Sequence, residues 1–286
     1  MESTIKQEVE VARRHSPEIA WPTIAMAVGL WLAFIAATGP ALAGTLNWFL
    51  AGVVNTAVMF AIYTPVHDAI HSSIVPRIKS LRWVNTAIGY ACATPLWIFY
   101  PQHRRSHFAH HARTNMPDDP DLYAKGSFAR VFFVQIPWLL LNYFNPVRVY
   151  RDCQTLRLTP AETRLTMALF AAHMLVALGI VAAGYGQALV ALWLIPWFVG
   201  NLLMQTSFGW APHHDHAETG RYRDTRVSLF PSGDLLYLQQ NLHLIHHLLP
   251  SVPFYRYRAV FEELRPLLEQ HGVRIEGFWP QVPAKG

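Results

Sequence analysis

Charge is what this sequence is short of. Only 14% of its 286 residues are Asp, Glu, Lys or Arg, against roughly 25% in an ordinary soluble domain. None of these four occurs from Ile19 to His67, and none from Leu165 to His214. Runs that long exclude a solvated helical domain, and each has room for two crossings of about 20 residues joined by a turn. Cysteine is also scarce. Cys92 and Cys153 have neither metal nor redox spacing, and both map to the portion expected in the cytoplasm, which argues against a structural disulfide. The zinc-protease motif His-Glu-x-x-His is missing, no catalytic serine arrangement stands out, and there is no internal repeat or low-complexity segment.

What is present is hydrophobic residue, 52% of the chain. The charge-free runs predict an all-α integral membrane protein of four transmembrane helices in two hairpins. The first hairpin is Trp21 to Pro40 and Asn47 to Val66, broken by Gly39-Pro40 and Gly44; the second is Leu165 to Ala183 and Gln187 to Trp210, broken at Gly184-Tyr-Gly186. Both turns lack Lys and Arg, so all 23 basic residues fall on the opposite side, which the positive-inside rule makes cytoplasmic. Trp21, Trp48 and Trp210 sit near helix ends, as interfacial aromatics do. The first 18 residues are polar, and the apolar run after them is too long for a signal-peptide core. Both termini are therefore expected in the cytoplasm.

The expected layout is one domain over residues 1–286. A polar amino terminus (1–18) precedes the hairpins at 19–66 and 165–210, and residues 67–164 and 211–286 form a histidine-rich helical cap with interfacial helices. Trp83 to Tyr100, interrupted by Thr94-Pro95, and Val131 to Tyr143, containing Pro137, are poor spans and are read as interfacial helices. Leu235 to Leu249 reads as a helix stopped by Pro250 and Pro253, and Tyr257 to Gly272 as a packing helix with its stripe at Val260, Phe261, Leu264, Leu267 and Leu268. The net charge of +5 follows from positive-inside bias, though it would also suit anionic headgroups or an acidic electron-donor protein.

Histidine is the chemically telling residue. Of 15, 12 fall in four clusters: His67 and His71; His103, His107, His110 and His111; His213, His214 and His216; and His243, His246 and His247. Written as helices, 107/110/111 and 243/246/247 are i, i+3 and i+4, placing three imidazoles on one face, and 67/71 are i and i+4. One zinc takes four ligands, whereas two triplets, a pair and one extra histidine supply nine, enough for two ions with about four or five nitrogens each. Imidazole alone does not name the metal. Zinc would have no redox role beside a lipid reservoir, so a pair of irons acting with O2 fits better. Asp68, fixed between two histidines, is the favoured carboxylate to orient an imidazole. The loop Asn115-Met-Pro-Asp118-Asp119-Pro-Asp121 could do the same or be a solvated turn. His173 reads as a hydrogen-bonded packing residue within the third span, and His15 and His271 as solvated.

The boxes HDAIH, HFAHH and HLIHH together resemble the membrane fatty acid desaturase and hydroxylase superfamily. HFAHHARTN followed by DDPD, then APHH and QQNLHLIHHLLPSVPFYRY, look most like the desaturase-type β-carotene hydroxylases, although acyl desaturases close on similar sequences. The likeness runs from about Tyr63 to Tyr257. It implies a non-haem di-iron centre with O2 as co-substrate and a separate ferredoxin-like or cytochrome-like electron donor. The implied ligands are His67, His71, His107, His110, His111, His243, His246 and His247, plus one histidine of the fourth cluster. His213 is chosen because it directly follows the proline, while His214 and His216 stay open; they and His103 are otherwise expected around the ligands. No catalytic residue beyond the ligands and no other cofactor is implied.

The leading expectation is oxidation of an unactivated C–H bond of a long apolar substrate, with hydroxylation of a carotenoid ring favoured and fatty-acyl desaturation as the alternative. A membrane zinc hydrolase using Asp68 would leave half the histidines idle. A metal transporter would place ionisable groups within its spans, where only His173 lies. The expected partners are lipids and the electron donor, not nucleic acid.

Overall fold

Four helices are long and apolar enough to cross a membrane: Trp21–Leu42 (α2), Trp48–Ile70 (α3), Pro160–Ala182 (α8) and Gly186–His213 (α9). They are seen in a computed structural model that describes residues 2–281. Around them lie α1 (Glu2–His15), α4 (Trp83–Ala93), α5 (Tyr100–Arg113), α6 (Phe128–Asn142), α7 (Pro146–Thr155), α10 (His243–Leu248) and α11 (Tyr257–Gln270). Among the described residues the strands are one short parallel pair, Val227–Ser228 (β1) with Ile275–Glu276 (β2). The all-α membrane class expected from the charge-free runs is the one observed.

The spans show the packing logic of lipid. On α2 the buried positions are small, Thr23, Ala27, Ala37 and Ala41, while Val28, Leu32 and Ile35 point outward. Hydrocarbon solvates large side chains as well as protein does, so close backbone approach and internal polar bonds select the interface. Helices α3 and α9 approach closely: a Cβ at Gly200 would lie 2.6 Å from Met59 Cβ. Asn55 adds polar glue, its Nδ2 donating to Thr38 Oγ1 (3.0 Å) and to the Leu192 carbonyl (2.8 Å), which ties α2, α3 and α9 together.

Prolines shape the helices in two ways. Gly39-Pro40 does not end α2, contrary to expectation; Pro40 lies inside the helix, and the turn comes later at Gly44, whose φ of +75° suits glycine. Three other prolines follow widened π-type turns, Pro137 after Val131–Gln135, Pro196 after Val190–Leu194 and Pro212 after Gln205–Trp210. The pyrrolidine ring clashes with the carbonyl four residues back and supplies no N–H, and a widened turn accommodates both defects without breaking the helix.

In the cap, the break at Thr94-Pro95 is real. A 3-10 turn, Thr94–Leu96, and a left-handed Trp97 redirect the chain into α5, held by the indole N–H groups of Trp193 and Trp197 on the carbonyls of Pro95 (2.8 Å) and Leu96 (2.6 Å). His173 lies between the carbonyls of Leu169 (2.7 Å from Nδ1) and Thr94 (3.0 Å from Nε2) and can donate to one of them, the packing role expected of it. Helix α6 buries Val131, Ile136 and Leu140 and exposes Phe133, Val134, Trp138 and Leu141, an interfacial pattern. Both cysteines are free and buried.

The helix expected over Leu235 to Leu249 is interrupted. Leu238 and Gln239 are left-handed (φ 51° and 61°), so the stretch divides into a short α-helical turn, Gly233–Leu236, a 3-10 turn, Gln240–Leu242, and the helix His243–Leu248. The interruption is braced by Gln239 Oε1 accepting from Arg258 N (2.8 Å) and by the Arg258–Asp234 ion pair (2.7 Å). Helix α11 buries its stripe, and α1 packs on it through Val11. His15 meets Glu263 (2.8 Å) and His271 stacks on Tyr222 (4.1 Å), so neither is simply solvated.

Gly200→Val forces a side chain into the Met59 backbone and is expected to cost about 1–3 kcal/mol. Thermal unfolding in detergent checks it; a variant melting with the wild type would show that α3 and α9 do not need this contact.

Candidate metal centre

Helices α3 and α9 end on the same side of the bundle, and each carries a histidine there: His67 near the end of α3, with His71 capping it, and His213 as the last residue of α9. Helix α5 brings His107, His110 and His111 across these ends, and α10 brings His243, His246 and His247. Their ring nitrogens gather into two sets, each with all its atoms within 4.8 Å of one another: His67, His71, His107 and His246, then His110, His213, His243 and His247. His111 sits between, its Nε2 3.1 Å from His107 Nε2 and 2.8 Å from His246 Nε2. The sets cut across the sequence boxes. On α5, His107 and His110 point to different sets, and on α10 so do His246 and His243.

Such an arrangement suits a metal centre. The rings aim at one another, as with His71 Nε2 and His107 Nε2 at 2.8 Å, and His67 Nδ1, His243 Nδ1 and His247 Nε2 are buried without a hydrogen-bond partner. Buried imidazoles left that way are costly unless their lone pairs are used. Burial, reinforced by neighbouring imidazoles, presses His71, His107, His111, His243, His246 and His247 well below the ordinary histidine range. They stand neutral, as ligands must. His110 is the exception: burial pushes it down, but Asp121, Asp119 and Asp224 outweigh burial and raise it.

The groups orienting these rings were only partly foreseen. Asp119, fully buried, takes His110 Nδ1 at 2.9 Å and the backbone N–H of Asn115 at 2.7 Å. Of the acidic loop's two readings, the orienting one is observed. Asp68 accepts instead from Thr23 Oγ1 (2.7 Å) and Phe254 N (3.2 Å), joining α2 and α3 to the cap rather than holding an imidazole. His213 Nδ1 bonds the Asp224 carbonyl (3.3 Å) and His246 Nδ1 meets Tyr257 Oη (3.1 Å). Asn115 Nδ2 donates to the carbonyls of Glu218 (2.7 Å) and Asp224 (2.8 Å), tying the two loops together. Glu8, on α1 and fully buried, accepts from Tyr222 Oη (2.6 Å) and Arg221 Nε (3.2 Å) and so pins the 214–226 loop. Asp119 stands nine residues from His110 in an Asp-Pro loop, a readable signal; Glu8 and Tyr257 carry none.

The other cluster histidines stay outside both sets. His103 Nε2 bonds Tyr63 Oη (3.0 Å), His214 lies against Trp210 (4.9 Å), and His216, buried, stacks on His213 (5.8 Å). Beside the imidazoles is a cavity of about 720 Å³. Its inner wall includes Tyr63, Trp97, His107 and Gln205, all buried, and its outer rim Arg105, Arg113, Asp118 and Arg148, all exposed. A second cavity of about 30 Å³ lies between the two sets and shares Tyr63, His107, Asp121 and Gln205 with the first.

An apolar four-span bundle capped by paired imidazole sets defines a membrane protein with a histidine pocket of metal-binding type. The chain matches the fatty acid desaturase family over residues 43–279. It is 24% identical over 251 residues to the sn-1 oleoyl-lipid 12-desaturase of Anabaena variabilis, covering 76% of this chain and 69% of that protein. It is 26% identical over 253 residues to the Synechocystis sp. protein of the same name, covering 77% and 68%. With the chloroplastic omega-6 fatty acid desaturase of Brassica napus it shares 24% over 277 residues, covering 86% and 60%. The chain therefore belongs to the fatty acid desaturase family, and it is a membrane-bound oxidoreductase.

For the neutral imidazoles the folded pKa lies below the unfolded value of 6.5. Below that pH the unfolded chain binds protons that the folded chain refuses, so their contribution to stability is full above it and falls as pH falls; His110, raised by its carboxylates, and Asp121 and Asp224, raised by burial, act in the opposite sense and are fewer than the six lowered imidazoles. Chelator-treated protein is expected to melt at lower temperature at about pH 5.5 than at about pH 7.5; an unchanged melting point would mean the pocket is hydrated when metal-free.

Proposed function

We propose that the protein is an O2-dependent di-iron desaturase of fatty-acyl chains. The observation that carries this is the division of the pocket's imidazoles into two four-nitrogen sets with His111 between them, beside a cavity of about 720 Å³. His67, His71, His107 and His246 would hold one iron and His110, His213, His243 and His247 the other, with His111 at the junction. Bound there, the iron pair supplies the oxidising power for C–H cleavage with O2. The balance is one –CH2–CH2– unit plus O2, two electrons and two protons giving –CH=CH– and two waters. The two electrons come from a separate donor of ferredoxin-like or cytochrome-like type.

The chain's own residues bind and orient. Trp97 and Tyr63 line the inner cavity as apolar and aromatic wall, while arginines at the rim face water. That asymmetry fits an amphiphile with a polar head better than a carotene, which has none. The relatives named above are acyl desaturases, which also favours acyl desaturation over the carotenoid-ring hydroxylation first expected. Asp119 holds the His110 ring and leaves Nε2 free. The arginine-free turns at residues 43–47 and 183–185 support a pocket and termini on the cytoplasmic side of one 1–286 domain.

Purified protein is expected to carry two irons per chain, and expression in a host lacking the activity to yield new double bonds in acyl chains by mass spectrometry. One zinc without iron would restore the hydrolase reading; hydroxylated carotenoids with unchanged acyl chains would restore the ring hydroxylase. Asp119→Ala is expected to lower iron affinity about 10–100-fold, read by competition with a chelator, and undiminished affinity would show that His110 needs no carboxylate.

A further inference from the structure

Three amides stand in a row before α10, and two of them are engaged. Gln239 bonds Arg258 N (2.8 Å) and the Tyr255 carbonyl (3.3 Å). Asn241 Nδ2 donates to the Ser228 carbonyl (2.9 Å) and to Asp234 Oδ1 (2.9 Å). Gln240 between them is 2% exposed, yet neither its Oε1 nor its Nε2 has a partner. A buried primary amide left this way forfeits both donor and acceptor bonds, so its occurrence needs a cause.

Its surroundings offer one. Gln240 lines the cavity of about 30 Å³ together with His67, His107, His110, His213 and His243, drawn from both imidazole sets. Space of that size takes one water-sized molecule. The left-handed Gln239 and the 3-10 turn Gln240–Leu242 set its direction, and the bonds of its two neighbours fix that turn in place.

We propose that Gln240 is the chain's hydrogen-bonding contact for a small oxygen ligand held between the two imidazole sets, a water at rest and O2 in turnover. An amide suits both: Nε2–H donates to either ligand's oxygen, and Oε1 accepts only from a water O–H. Gln240 thus touches the co-substrate itself, a role distinct from the imidazoles that would hold metal. The assignment rests on reading the pocket as a di-iron centre.

Nitric oxide, a diatomic stand-in for O2, tests it on the iron-loaded full chain. Gln240→Leu and the near-isosteric Gln240→Met are expected to keep two irons per chain and the wild-type melting temperature. Their nitric oxide should dissociate about tenfold faster, with a shifted N–O stretching frequency. An unchanged rate and frequency in both variants overturns the proposal while leaving the di-iron reading intact, and so does loss of iron from both, which would make Gln240 a ligand or a structural brace. Wild-type protein with neither iron nor a nitric oxide response overturns the di-iron reading and this proposal with it.

Discussion

Everything in this protein answers to the cost of burying imidazoles. A neutral imidazole out of water still needs partners for its N–H and its lone pair. Here nine are crowded where few partners exist, and several nitrogens face one another. A shared cation would make such crowding favourable, and the rings are positioned for one: Asp119, Tyr257 and the Asp224 carbonyl take the outward ring nitrogens, so the inward lone pairs have fixed directions. The spans supply rigid ends on which His67 and His213 are mounted, and the cap supplies the rest.

The apparatus that holds the rings in register is spread widely. Asn115 joins the Asp119 loop to the 214–226 loop, Arg221 and Tyr222 join that loop to Glu8, and α1 thereby becomes part of the pocket's support although it is farthest from it in sequence. Asp68 does the corresponding work on the membrane side, holding Thr23 of α2 and the backbone of Phe254. The polar bonds of the cap and the small-residue contacts of the bundle are two parts of one scaffold.

The sequence was most legible where physics leaves few options. Absence of charge over fifty residues has one common meaning, and the four spans lie close to where Ile19–His67 and Leu165–His214 put them. The i, i+3, i+4 histidines were equally plain, but the pairing of His107 with His246 and of His110 with His213 was not, because it depends on how α5 crosses the ends of α3 and α9. Asp68 was favoured over Asp119 on nearness in sequence, whereas a carboxylate beside a histidine on the same helix can point away from it. The helix before His243 looked continuous by periodicity, yet Leu238 and Gln239 turn left-handed under the pull of Arg258. Gln240 lacked any pattern at all; its importance shows only in what fails to touch it.

The tight crossing at Gly200 acts as a fulcrum. His213 lies thirteen residues beyond it, about 20 Å along the helix, so a tilt of about 3° between α9 and α3 would carry that ring about 1 Å. Metal–ligand distances in a well-formed site agree with standard values to about 0.2 Å, so for a pocket that holds metal the bundle's geometry and the pocket's chemistry are one mechanical problem.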